Sequence, residues 1–232
     1  MRHGGALRVC MAASCAVLLA SGAAPAAAAG VSCHCFRDRE YDPQNPGKTD
    51  EYLLATAANT MLAAAYGLPK RGIVSERMNG VSAEELWVSA FAAARLGADA
   101  SAVRAARAAS PSWRAAFQRI GGPLERLGPQ FVAPLAGGAG DEALGKAAAA
   151  ATCAERLRTP WPELDALAFR GATLQETVLA ALLGVWSGRA PSAVFDEVRR
   201  SGAAWSVVLN RLGLVPTDLA RKIPETLGAT LP

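Results

Sequence analysis

Histidine is nearly missing from this chain of 232 residues, which has only His3 and His34. His3 lies in a segment that reads as a cleaved leader, so one imidazole is left for chemistry. A Ser-His-Asp triad would have to be built on His34, beside two cysteines. The common catalytic and nucleotide signatures are missing too. There is no Walker A pattern, no G-x-G-x-x-G after a strand, no G-x-S-x-G and no H-E-x-x-H. Tyrosine occurs three times and isoleucine and threonine are sparse, which argues against a sheet. Alanine and leucine are abundant instead, and both favour helix. The predicted fold class is therefore all-α.

Surplus charge is also lacking. Removal of Arg2 and Arg8 with the leader takes two from the formal charge of +4 and leaves +2. So slight a positive balance argues against nucleic acid as a partner. Residues 1–29 read as a signal peptide: Arg2 and Arg8, then the apolar stretch 9–20, then Ala27-Ala28-Ala29 as a small-residue cleavage site. Twelve apolar residues are too few to span a bilayer, which needs about 20. The expectation is an exported protein, periplasmic or secreted, with no transmembrane anchor after processing.

What the chain does have is a copy of itself. A shift of 91 positions lays Asp50-Glu51 on Asp141-Glu142, Pro69 on Pro160, Gly80 on Gly171, Glu85 on Glu176 and Gly97 on Gly188. It also lays Ser101-Ala102-Val103 on Ser192-Ala193-Val194. One inserted residue later, Trp113, Arg119 and Gly121 match Trp205, Arg211 and Gly213. These matches predict an internal duplication into two pseudo-symmetric multi-helix halves. The expected organisation is an arm at 30–48, a first half at 49–127, a Gly/Pro-rich linker at 128–140 and a second half at 141–232. A ligand or partner would use the groove between the halves.

Local signals place the helices. Thr49 is read as the cap of a helix starting at Asp50-Glu51 and stopping at Gly67-Leu68-Pro69. A short helix is expected up to Gly80. Ser82 to Glu85 and Thr173 to Glu176 have the spacing of capping boxes, with stops at Gly97 and Gly188. Each half ends on a Trp helix, Trp113 to Gly121 and Trp205 to Gly213, with its apolar residues on one face. Both tryptophans are read as buried anchors; a carbohydrate or peptide platform would need an exposed ring.

The cysteines remaining after processing are Cys33, Cys35 and Cys153. Three thiols cannot all pair within one chain. One bridge from Cys33 or Cys35 to Cys153, with Cys35–Cys153 the pair taken forward, would staple the arm to the second half for about 4 kcal/mol. Alternatively Cys33, His34 and Cys35 are metal ligands, a set that suits zinc or copper(I), although a structural zinc site wants four. No other cofactor is expected. The acids Glu84 with Glu85, and Glu163 with Asp165, read as helix-start or surface groups. Arg104, Arg107 and Arg114 could form a basic face, but Phe195 and Val198 stand at the matching places of the first two.

Cys33-His34-Cys35-Phe36-Arg37-Asp38-Arg39, with Thr49-Asp50-Glu51-Tyr52 and Glu85-Leu86-Trp87-Val88, resembles a group of uncharacterised secreted bacterial helical proteins with an N-terminal Cys-His-Cys segment. That group carries no assigned activity, so the resemblance implies no catalytic residue. Val207 to Leu219 also resembles a helix-turn-helix, a likeness that export and near-neutral charge oppose. Two readings follow. The first is a non-enzymatic binding or scaffold protein of the cell envelope, its partner an envelope protein or a small ligand. The second is a metal- or thiol-handling protein using Cys33, His34 and Cys35.

Overall fold

The helix stops read from glycine spacing recur in the structure, because glycine alone enters the left-handed region without strain. The computed structural model describes Met1 and residues 38–228, where the chain forms twelve α-helices, three short 3-10 turns and no strand. The first series is α1 (Asp50–Tyr66), α2 (Lys70–Met78), α3 (Ala83–Leu96), α4 (Ala100–Ala108), α5 (Trp113–Ile120) and α6 (Pro129–Ala136). The second is α7 (Asp141–Arg156), α8 (Trp161–Phe169), α9 (Leu174–Ser187), α10 (Pro191–Ser201), α11 (Trp205–Arg211) and α12 (Leu219–Leu227). Helices α7, α8, α9 and α10 each begin 91 residues after α1, α2, α3 and α4. Gly67, Gly97 and Gly188 end α1, α3 and α9 at φ of 63°, 70° and 69°.

The two series interlock. Helix α1 packs against α9 and α12, and α7 packs against α3 and α6, so long helices of each series rest on the other. The contact of α3 with α7 is very close. Gly145 of α7 has no side chain where the helices cross, and a Cβ there would lie 2.7 Å from the Cβ of Glu84 and 2.8 Å from its Cα. The core between these helices is apolar and continuous, from Leu53, Met61 and Phe91 to Leu144, Leu179 and Leu183.

The interlock extends to the helix starts. Asp50 stands in the first turn of α1, where an acid ordinarily faces the positive end of its own helix. Its carboxylate instead accepts the backbone N–H groups of Trp205 at 2.9 Å and Ser206 at 3.0 Å, capping α11 from 155 residues away. Its counterpart Asp141 reaches the other Trp helix, where Trp113 donates its indole Nε1–H to Oδ1 at 2.5 Å. Both tryptophans are buried, Trp113 at 2% exposure and Trp205 at 3%, as their spacing predicts.

Three local expectations are corrected. Thr49 stands at the N-cap of α1 as expected, but its side chain makes no cap bond; it ends a 3-10 turn, Pro46–Thr49, and its hydroxyl donates to the Pro46 carbonyl. The capping box is complete only at Thr173 and Glu176; at Ser82 the hydroxyl accepts the Glu85 N–H, and no return bond forms. The 128–140 stretch is not an unstructured linker. Pro129 supplies the fixed φ of a first helical position, and α6 buries Phe131 and Leu135. Phe131 lies 4.9 Å from Phe91 and 6.2 Å from Phe117, ring centre to ring centre, so aromatic packing outweighs the helix-breaking composition.

Candidate functional site

Two clefts are lined by residues that differ from those 91 positions away. The first lies between α2 and α4, a cavity of about 240 Å³. Its floor is Leu62, Leu68, Ile73, Leu86 and Ala90. Across its rim Arg104 donates Nη2–H to Glu76 at 2.9 Å. In the second series the two rim positions are filled by apolar side chains. Phe195 stands where the first has Arg104, Leu167 where it has Glu76, and both are fully buried. Glu163 stands in place of Gly72, and its carboxylate accepts the Ser192 N–H at 3.1 Å, which ties α8 to the start of α10.

The second cleft lies between α7 and α8, with a volume of about 410 Å³. Ala143, Ala147 and Ala150 form one wall at i, i+4 and i+7. Trp161, Asp165 and Ala168 form the other, and Ala172 lies at the floor. Trp161 is half-buried, and the next apolar side chain beyond this wall, Phe169, is 93% exposed.

Where the two series meet, Ser82 and Glu84 face Glu142 and Thr173 across an open depression of about 360 Å³.

Cys33, His34 and Cys35 lie outside the described residues, so the metal set and the Cys35 end of a bridge to Cys153 do too. Among the described residues no group of three metal-binding side chains comes together. Cys153 is fully buried on α7, and burial pushes its thiol up to about 12. A thiol so protonated and enclosed is a poor nucleophile. We expect iodoacetamide at pH 8 to leave Cys153 unmodified in the folded protein and to modify it in denaturant, read by intact mass. Modification in denaturant only after reduction would reveal a bridge.

Two of the carboxylates tie elements of the fold together. Glu163 ties α8 to α10, and Glu176 holds both the Thr173 N–H and Arg199, at 2.9 and 2.8 Å. Burial first, then the Asp141 carboxylate, raises the Glu85 carboxyl above its ordinary range, against the pull of Arg107 and Arg104. Asp165 is exposed and faces the second cleft. The basic face does not form. Arg104 is paired with Glu76, and Arg107 lies 3.6 Å from Asp141 and 5.5 Å over the Trp113 ring. Trp161 was not singled out from the sequence. Its counterpart Lys70 was the available signal, since a fold that accepts lysine there does not require tryptophan.

Compared with protein-family models, curated proteins and solved structures, the chain matches none. No single helix among the described residues is long and apolar enough to cross a membrane.

Proposed function

We propose that this chain is a non-enzymatic binding protein acting after export, and that the α2–α4 cleft holds a small, mostly apolar ligand with one polar end. The reading is supported by the opening of that cleft in one helical series and its filling by Phe195 and Leu167 in the other. A fold that seals the position once has no structural need to leave it open at the other. The apolar floor would bury the ligand body, and the Glu76–Arg104 pair at the rim offers both a donor and an acceptor to a polar end. Helix α2 buries only Ile73 of its nine residues, so it is lightly held and able to yield to a ligand.

The two series are, on this reading, copies of one duplicated unit. The common 91-residue spacing of four helices supports that, as does the reciprocal use of Asp50 and Asp141 on the two Trp helices. One copy was free to keep the packed arrangement while the other opened.

The test transplants the packed arrangement. Glu76→Leu with Arg104→Phe should fill the cleft, hold stability level or raise it by about 1–2 kcal/mol, and abolish saturable binding of an apolar naphthalene-sulfonate dye there. Dye binding unchanged in a folded double variant would sink the reading. Stoichiometric zinc or copper in the purified protein, lost on replacing Cys33 and Cys35, would favour the metal- or thiol-handling reading instead.

A further inference from the structure

The α7–α8 cleft is open, and the residues 91 positions earlier, a first strip on α1 and α2, include arginine and lysine. At the matching positions Tyr52 replaces Ala143, Lys70 replaces Trp161 and Arg77 replaces Ala168. Arg77 turns back over the end of α2, and its Nη1–H donates to the Val81 carbonyl at 2.7 Å. The guanidinium of Arg39 lies 5.7 Å over the Tyr52 ring. Two guanidinium groups of the chain itself are thus spent on the first strip.

The second strip keeps surroundings that suit such a group and lacks the arginines. The carbonyl matching that of Val81 belongs to Ala172, at the cleft floor. Ala168 lines the cleft with a single methyl where the first strip carries Arg77. Trp161 adds a half-exposed indole, the aromatic that attracts cations best. Asp165, where the first strip has Val74, adds an exposed carboxylate that meets no basic side chain among the described residues. The one cation on the walls, Lys146, is neutralised by Glu142 at 2.8 Å.

We propose that the α7–α8 cleft binds a guanidinium group supplied from outside the chain. A planar guanidinium can stack on the indole while its fork donates to carboxylate and carbonyl together; an ammonium offers neither the plane nor the fork. The group arrives either as an arginine side chain of a polypeptide or as a small guanidino compound. The inference concerns a different cleft from the one proposed above and does not depend on it.

The experiment titrates the full chain with N-acetyl-arginine amide, following tryptophan emission and heat. N-acetyl-citrulline amide is the uncharged control of the same shape. The arginine derivative should bind saturably and at least about tenfold more tightly than the citrulline one. Ala168→Arg restores the arrangement of the first strip, so it should fold with an unchanged melting midpoint and lose the binding. Asp165→Asn should weaken binding about threefold to tenfold. Glu76→Leu with Arg104→Phe should bind the arginine derivative as the unaltered protein does, which separates this cleft from α2–α4. An Ac-Gly-Arg-Gly amide bound about tenfold more tightly than the single residue marks a polypeptide source; equal affinity marks a small guanidino compound. Equal affinity for citrulline, binding that survives in folded Ala168→Arg, or no saturation would each overturn the proposal.

Discussion

Trp113→Ala is expected to lower the unfolding free energy by about 4 kcal/mol, measured by urea denaturation. The ring is 2% exposed and stacks on Phe117 at 5.5 Å between centres. Phe117, on the same helix, in turn meets Phe131 of α6, so the truncation leaves a hole beside the aromatic cluster of α5 and α6. The indole also donates to Asp141 at 2.5 Å, and Arg107 lies over its face. Trp113→Phe separates these contributions. It keeps most of the apolar burial and removes the donor, and a loss of about 1 kcal/mol is expected because water reaches the half-exposed Asp141. A loss below about 1 kcal/mol for the alanine variant would mean that α5 and α6 collapse into the hole at little cost, contrary to the packing described.

Gly145→Ala should destabilise by about 2 kcal/mol, although alanine is the better helix former by up to about 1 kcal/mol. The reason is geometric. The added methyl would meet the Cβ of Glu84 at 2.7 Å and its Cα at 2.8 Å, and a backbone atom cannot rotate away. Helices α3 and α7 would have to separate along their whole contact. Gly72→Ala in α2 is the matched control, since its methyl meets nothing within 4 Å. It should leave stability level or raise it by about 0.5–1 kcal/mol. If both variants behave alike in thermal melts, the close crossing of α3 and α7 is wrong.

Much of the fold was legible because helix ends are written locally. Gly67, Gly97 and Gly188 stop helices at a left-handed residue, and Ser82 and Thr173 start them with a hydroxyl, so neighbours in sequence suffice. The 128–140 stretch misled for the opposite reason. Its glycines and prolines were visible, but the aromatic surface that Phe131 would meet came from α3 and α5. Asp50 misled likewise, since a helix-start acid looks the same whether it serves its own helix or one 155 residues away. The clefts were partly legible. Arg104 against Phe195 was seen, as was the absence of a repeated basic face. That the difference opens a cavity required knowing that both positions point at the preceding short helix. The second cleft was hidden because one of its walls is Ala143, Ala147 and Ala150, which carry no chemical signature until something is missing beside them.

The cap that Asp50 places on α11 has a consequence for the order of events during synthesis. The acceptor is made near the beginning and the donors, Trp205 and Ser206, near the end. Helix α1 also lacks its α12 neighbour until the final residues are joined. Contacts so distant along the chain form slowly, and none can form on a nascent chain that has not yet emerged. Helix α1 therefore stays without part of its packing until α11 and α12 have been made. Truncation just before Trp205 should leave α1 with part of its apolar surface bare, in a chain that collapses without locking.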